Sequence, residues 1–332
     1  MPDFYQKLTQ GVLVASCIVA SAPPVWATSF TINSGETVTT AQTLNVDGET
    51  GLIVSGGFLN VTGIPITVNN NADNVVITNN GTITATQDAI NGSAGTGTTT
   101  ITNNGTIITT GVGDGPSADA INFTGGSAPT LILTNNGTIQ TFGSSGAEAV
   151  VMGGDNNIVI NNGTIATAGE TADAITTSCR NCTITNNGTI ITTGRQAHGI
   201  FYLGGGVQET ITITNTGSII TQGNDSNGLL LNNEADTTIN NSGLIHAFDP
   251  TEEAILGATG VDTLNLQSGS QIIGIIDLRG DTDIVNISGA NNSSTLTLTN
   301  VETINLINGN GLLVGDVVTM VDPTGQSVSS AV

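Results

Sequence analysis

One seven-residue phrase, close to Ile-Thr-Asn-Asn-Gly-Thr-Ile, recurs through the middle of this chain. The seven copies are Ile77–Ile83, Ile101–Ile107, Leu133–Ile139, Val159–Ile165, Ile184–Ile190, Ile213–Ile219 and Ile239–Ile245. The distance from one copy to the next lies between 24 and 32 residues. A repeat of this length cannot bury an apolar face alone, so successive copies must stack on one another.

Each copy alternates with a two-residue period, which indicates β-strands rather than helices. Isoleucine and threonine are β-branched and favour strands. We expect the central Asn-Asn-Gly to form a tight corner between two strands, with its glycine at a positive φ. A second phrase, Asp-Ala-Ile or a close variant, follows each corner and indicates a third strand, as at Asp88, Asp119 and Asp173.

Three short strands in each coil of about 25 residues predict an all-β fold, a right-handed parallel β-helix. We expect one elongated domain over residues 28–332, with the repeats at 75–257 and distal coils at 258–322. Because each coil adds about 4.8 Å, roughly eleven or twelve coils would form a rod about 55 Å long.

The first asparagine of the corner is present in every copy. In a stacked solenoid these side chains lie one above another, and each amide can donate a hydrogen bond to the next carbonyl. The sequence therefore predicts a structural asparagine ladder, while a row of polar ligands for a partner is the alternative. Its members are Asn79, Asn103, Asn135, Asn161, Asn186, Asn215 and Asn241.

Charge limits the kinds of partner that this chain can bind. The formal net charge is −22, and the chain contains 26 acidic and four basic residues. Such a surface repels nucleic acid and anionic membranes, so we expect neither as a partner.

Residues 1–27 have the character of a secretory signal peptide. Lys7 precedes an apolar run that is too short to span a membrane, and Val25-Trp26-Ala27 offers a cleavage site. A lipoprotein-like sequence ending at Cys17 is the alternative processing site. We expect no membrane-spanning helix in the rest of the chain.

Two further cysteines, Cys179 and Cys182, form a Cys-x-x-Cys pair. This spacing fits a redox pair, half of a zinc site or a small disulfide. Export to an oxidising compartment favours the disulfide, which would close one loop.

The order of Ile-Thr-Asn-Asn-Gly-Thr-Ile and Asp-Ala-Ile phrases resembles the passenger domains of autotransporters from Gram-negative bacteria. The distal segments Asp262–Leu266, Asp283–Ile287 and Val301–Leu306 resemble the last coils that precede the translocator in that family. The resemblance covers nearly the whole chain after the leader. It implies a β-helix exported through the inner membrane to the periplasm, the cell surface or the medium.

Autotransporters continue into a C-terminal outer-membrane barrel, and no such strands precede Val332. The resemblance therefore implies a barrel translocator that is supplied elsewhere, in cis or in trans. A broken or split gene is the alternative explanation.

A row of acidic residues opens the third strand of several coils, at Asp88, Asp119, Glu148 and Asp173. We expect these to be polar turn residues. They are also weak calcium candidates, since like charges about 5 Å apart repel unless a cation screens them. We expect no other metal and no cofactor, and we find no triad, zinc or phosphate-binding motif.

These observations favour a non-enzymatic passenger that acts in surface adhesion or interaction. Its partner would be a host or bacterial cell-surface protein or glycan, bound by the loops Asn91–Thr98, Gly111–Ala118 and Gly204–Gln208. Two alternatives stay open: a secreted polysaccharide-active enzyme that uses clustered carboxylates, and a structural spacer or truncated remnant.

Overall fold

A computed structural model describes residues 29–70, 72–92, 97–111, 118–124, 130–204, 210–232, 236–288, 295–307, 317–321 and 327–329. Residues 1–28, the middle parts of the three predicted binding segments (residues 93–96, 112–117 and 205–208) and most of the last 25 residues lie outside these ranges. The described strands form three sheets of 12, 10 and 13 strands, which we name sheets A, B and C.

Successive strands of the chain visit sheets A, B and C in turn, and each strand pairs in parallel with its equivalent in the next coil. Sheet A contains β1 (Phe30–Ile32), β4 (Thr50–Ile53), β7 (Val75–Asn79), β10 (Thr98–Asn103), β13 (Thr130–Asn135), β16 (Ile158–Asn161), β19 (Cys182–Asn186), β22 (Thr210–Asn215), β25 (Asp236–Asn241), β28 (Thr263–Leu266), β31 (Ile284–Ser288) and β33 (Thr303–Ile307). Sheet B contains β2 (Thr37–Val38), β5 (Phe58–Val61), β8 (Thr82–Ala85), β11 (Thr106–Thr109), β14 (Thr138–Thr141), β17 (Thr164–Thr167), β20 (Thr189–Thr192), β23 (Ser218–Thr221), β26 (Leu244–His246) and β29 (Gln271–Ile273). Sheet C contains β3 (Gln42–Leu44), β6 (Ile66–Val68), β9 (Ile90–Gly92), β12 (Ile121–Phe123), β15 (Val150–Met152), β18 (Ile175–Thr177), β21 (Ile200–Tyr202), β24 (Leu229–Leu231), β27 (Glu253–Leu256), β30 (Ile275–Asp277), β32 (Thr295–Thr299), β34 (Val317–Val321) and β35 (Ser327–Ser329).

The predicted parallel β-helix with coils of about 25 residues is confirmed. In the described ranges, ten coils have a strand in all three sheets, and β31–β34 add two coils that lack a sheet B strand. We refer to these coils as coil 1 to coil 12. The last pairing, between β34 and β35, is antiparallel.

The core is made of apolar columns that the two-residue alternation directs inward. Along the central coils, each inward column has the same or a similar aliphatic residue in every coil, with 0% exposure. Full burial of one such side chain contributes about 1.5–3 kcal/mol, so the repeated positions stabilise the stack far more than any single contact. The columns are Ile77, Ile101, Leu133, Val159, Ile184, Ile213 and Ile239 in sheet A, and Ile83, Ile107, Ile139, Ile165, Ile190, Ile219 and Ile245 in sheet B.

The corner glycine is needed for a different reason from the one that the sequence suggests. The prediction of a positive φ is wrong, since none of the seven corner glycines adopts one. A Cβ on Gly163 would instead lie 2.0 Å from the carbonyl oxygen of Gly137 in the preceding coil. Glycine is required here because neighbouring backbones approach too closely for any side chain.

The seven corner asparagines form a continuous ladder. Each Nδ2 donates to the Oδ1 of the next asparagine at 2.7–2.8 Å, and all seven side chains have 0% exposure. The ladder ends where Asn241 donates to the hydroxyl of Ser270. It supplies buried donors and acceptors with partners, which isolated buried amides would lack.

A second, exposed ladder runs beside the first in the opposite direction. Here the second corner residue donates back to the preceding coil, as Asn104 does to Asn80 and Asn162 to Asn136, both at 2.8 Å. The two ladders therefore oppose their amide dipoles across one corner.

The stacking pattern changes after coil 9. Leu266 occupies the sheet A position that Asn241 holds in the preceding coil, so the buried amide column ends. An outward column then carries the amides, in which Asn265, Asn286 and Asn305 each donate to the preceding coil at 2.8–2.9 Å. In the distal coils the inward position is thus apolar, and the asparagine hydrogen bonds lie on the outer face.

Candidate binding groove

A second polar column follows the edge where sheet B leads into sheet C. We name it the acid column, and its members are Asp88, Asp119, Glu148 and Asp173. Three of its acids accept a hydrogen bond from the backbone N–H of the equivalent residue in the next coil. Asp88 accepts from Asp119 at 3.1 Å, Asp119 from Glu148 at 3.0 Å, and Asp173 from His198 at 2.6 Å. His198 continues the column, since its Nδ1 accepts from the N–H of Asn227 at 3.0 Å. These residues thus satisfy backbone donors at the turn into each sheet C strand.

The outward residue three positions later determines the second contact of each acid. In coils 3 and 4 this residue is asparagine, and its Nδ2 donates to the acid, Asn91 to Asp88 at 2.6 Å and Asn122 to Asp119 at 2.8 Å. In coil 5 the corresponding residue is Val151, which carries no donor for Glu148. The amide support of the acid column therefore ends at coil 5.

Beyond that point the surface contains a groove of about 570 Å³. It crosses coils 5 to 8, from Gly146 to Asp225, and its lining combines acids with an imidazole, a phenyl ring and an aliphatic side chain. Phe201 is the outward residue of β21, in register with Thr176 on one side and Leu230 on the other. The lining residues are Gly146, Glu148, Thr171, Asp173, Thr176, Gln196, His198, Phe201, Leu203 and Asp225.

Burial shifts the ionisable groups of the groove toward their neutral forms. Burial raises the pKa of Asp173 to about 7, although hydrogen bonds from His198 and Thr176 oppose the shift. Burial also raises the pKa of Glu148, opposed by a side-chain hydrogen bond with Asp119 and assisted by the negative charges of Asp173 and Asp88. The pKa of His198 is lowered to about 4, again by burial.

His198 is consequently a neutral imidazole at neutral pH, which agrees with its role as a hydrogen-bond acceptor through Nδ1. Its ring lies against that of Phe201, with centroids 5.5 Å apart and planes tilted by 54°. The pair forms a small aromatic platform beside the two acids. Both rings are partly buried.

The cations near the groove are paired at its margin. Arg195 lies 2.9 Å from Glu170 and 3.4 Å from Asp225, and Arg180 lies 2.5 Å from Asp155. All of these side chains are at least 31% exposed, so each pair contributes less than about 1 kcal/mol. These pairs leave the floor of the groove acidic and aromatic.

The four weak calcium candidates lie in one column as the sequence predicts, at Asp88, Asp119, Glu148 and Asp173. Within the described ranges no three His, Cys, Asp or Glu side chains converge on a common point that could hold a metal ion. Asp88, Asp119 and Asp173 instead accept hydrogen bonds from the backbone of the next coil. Calcium binding remains a prediction.

The structure joins Cys179 and Cys182 in a disulfide, with Cα atoms 6.0 Å apart, a distance usual for such bonds. It lies in the loop between β18 and β19, and both residues are buried. The hydroxyl of Tyr202, itself buried in the next coil, donates to the carbonyl oxygen of Cys179 at 3.2 Å. The loop is thereby fixed to the strand that carries Phe201.

Sequence reasoning located the acid column but not the groove. The signal is the residue that directly follows the Asp-Ala-Ile phrase or its variant. It is asparagine after Ile90 and Ile121, valine in coil 5 and phenylalanine in coil 7. A change at one position of an otherwise regular repeat indicates that the surface of that coil differs from that of its neighbours.

Comparison of the chain with protein-family models, with curated proteins and with solved structures gave no match. Among the described residues, none forms a helix with the length and hydropathy needed to cross a bilayer.

Proposed function

We propose that this chain is a non-enzymatic, exported β-helical protein of the autotransporter-passenger kind, which mediates surface adhesion or interaction through the groove on coils 5 to 8. The observation that carries the proposal is the groove itself. It combines partly exposed aromatic and acidic side chains with a backbone whose strands are fully paired to neighbouring coils. A rigid surface of this kind binds without losing much conformational entropy.

The bonding of the acid column supports a non-enzymatic role. Asp88, Asp119 and Asp173 each accept a backbone hydrogen bond from the next coil. A carboxylate whose oxygen is occupied by a backbone hydrogen bond is poorly placed to act as a nucleophile or to exchange protons during turnover.

Surface display tests this proposal. The chain would be fused to a β-barrel translocator in a non-adherent Gram-negative host, and exposure on the cell would be verified with antibody. We expect attachment to cultured epithelial cells or aggregation of the host cells. The double variant E148Q/F201A should lose this activity, whereas the matched pair E253Q/F248A, which lies outside the groove, should keep it. Displayed protein that causes neither attachment nor aggregation would contradict the proposal and favour a structural spacer.

Export itself can be tested on the same material. We propose that residues 1–27 direct the chain through the inner membrane and are removed after Ala27. N-terminal sequencing of the exported protein should begin at Thr28, and a lipid-linked Cys17 would contradict this cleavage site.

A polysaccharide-active enzyme is the second candidate, and one feature of the groove favours it. Glu148 and Asp173 occupy the same column position in adjacent coils and both line the groove, and glycoside hydrolysis uses a pair of acidic side chains. Release of reducing ends from acidic glycans, abolished by E148A or D173A, would establish this activity and overturn the non-enzymatic assignment.

A further inference from the structure

The groove is lined by the carboxyl groups of Glu148, Asp173 and Asp225. Burial raises the pKa of Glu148 and Asp173, so a cation bound beside them would favour their ionised forms. Four basic residues stand against 26 acidic ones in the whole sequence. Arg195 is engaged with Glu170 and Asp225 at the groove margin. Charge complementarity therefore favours a cationic ligand over a neutral or anionic one.

The aromatic platform specifies a second property of the ligand. Phe201 projects from the outward face of sheet C with Thr176 in the preceding coil, and His198 lies against it as a neutral ring. A phenyl face attracts a cation electrostatically and also packs against a flat apolar surface. The ligand therefore has both an ammonium group and a ring or chain that can lie on the platform.

The length and lining of the groove indicate an extended polymer that is recognised through side chains. The groove spans four coils, which corresponds to about 14 Å along the solenoid axis. Its strands already pair with both neighbouring coils, as β18 does with β15 and β21, so no free strand edge is offered to a peptide. Exposed Gln196 and Thr171 instead present amide and hydroxyl groups of the kind that bind sugar hydroxyls.

We infer that the groove binds a cationic amino-sugar polymer, a glycan whose hexosamine residues carry free ammonium groups. Glu148 faces the ammonium group, Phe201 packs against the sugar ring, and Gln196 bonds to ring hydroxyls. This inference rests on the proposed function and names the ligand class of the same site.

Calorimetric titration of the full chain tests the inference. The probes are a short glucosamine oligomer with free amines and its fully N-acetylated counterpart, which differ in charge but share the sugar backbone. At a pH where its amines are protonated, we expect the free-amine oligomer to bind about tenfold more tightly or better. Equal affinity for the two oligomers would overturn the inference.

Matched variants separate the groove from general attraction to an acidic surface. E148Q should weaken binding of the amine oligomer about tenfold, and F201A about fivefold, since each removes one defined contact. The controls E253Q and F248A should remain within about twofold of the wild type. Thermal unfolding of each variant verifies that it is folded, and an equal loss in E253Q would overturn the assignment to the groove.

Failure of this inference is distinguishable from failure of the proposed function. Displayed chain that adheres in a groove-dependent manner, while the purified chain ignores the amine oligomer, would overturn the amino-sugar assignment and leave the adhesive role intact. Absence of both activities would overturn both.

Discussion

The two polar columns of this solenoid occupy different edges of the same coils. They differ in how their polar side chains obtain hydrogen-bond partners. At the corner between sheets A and B, Asn161 donates to Asn186 and accepts from Asn135, so one residue type satisfies itself in every coil. At the edge between sheets B and C, an ionised Asp173 can only accept, and it accepts from the backbone N–H of His198 and the hydroxyl of Thr176. A self-complementary group can repeat indefinitely, whereas an acid depends on what each coil supplies.

This difference explains why the groove lies on the acid column. Every asparagine of the amide column except the last, Asn241, donates to the next asparagine, so these coils are alike at this corner. The acid column loses its asparagine partner at Val151 and gains an aromatic neighbour at Phe201. The acid column tolerates changes of residue type that would interrupt the amide column. These changes give the groove a surface that differs chemically from the neighbouring coils.

The largest predicted effect concerns the close backbone contact at the asparagine corner. Gly163→Ala would place a methyl group 2.0 Å from the Gly137 carbonyl oxygen, so neighbouring coils must separate. We expect a loss of about 3 kcal/mol in the free energy of unfolding, measured by denaturant titration.

The control for that variant lies at the other edge. Gly146→Ala meets no atom within 4 Å and is disfavoured only by its φ of 55°, so it should cost about 1 kcal/mol. Equal losses at the two positions would contradict the view that the asparagine corner is the tighter of the two.

The acid edge should make stability depend on pH, and the asparagine corner should not. The folded pKa of Asp173 is raised to about 7, so its contribution is fully present below the unfolded value of 3.8 and is lost as pH rises through 7. The folded pKa of His198 is lowered to about 4, so its contribution is present above 6.5 and is lost as pH falls through 4. We expect a higher Tm at pH 5.5 than at pH 8.

Two acids in the distal coils also make the Tm fall as the pH rises. Burial raises the pKa of Asp262 and of Asp283 to about 7, and each carries one buried oxygen without a hydrogen-bond partner. The variant D173N should therefore reduce the fall in Tm between pH 5.5 and pH 8, and D173N/D262N/D283N should abolish or reverse it, because the His198 contribution then remains. An unchanged fall in the triple variant would refute these assignments.

Of these changes, the addition of calcium should have the smallest effect on stability. Screening of the acid column by millimolar Ca²⁺ should raise Tm slightly, on the order of 1 kcal/mol or less in stability, beyond an equal ionic strength of Na⁺. Asp119→Asn should remove the increment. No difference between the two salts would dismiss Asp88, Asp119, Glu148 and Asp173 as calcium ligands.

The sequence predicted those features that recur with the repeat. The strands, the inward isoleucines and the position of Asn161 in a column all follow from periodicity, because stacking makes equivalent residues neighbours. The reason for Gly163 did not follow, since sequence cannot distinguish a required φ from a close contact between coils. The groove did not follow either, because Phe201 and Val151 are single departures whose neighbours are known only once the register is fixed.

A reciprocal exchange within coil 6 tests the central claim most directly, that the amide column stabilises the scaffold while the acid column is free to vary for binding. The measurement is the free energy of unfolding at pH 8 of Asn161→Asp and Asp173→Asn, which are nearly isosteric opposites. Asn161→Asp removes the donor to Asn186 and places a charge at a fully buried site, so we expect a loss of about 3–5 kcal/mol. Asp173→Asn keeps an acceptor for the His198 N–H and removes a buried charge, so stability should change by less than about 1 kcal/mol or increase. Losses of equal size in the two variants would contradict the account.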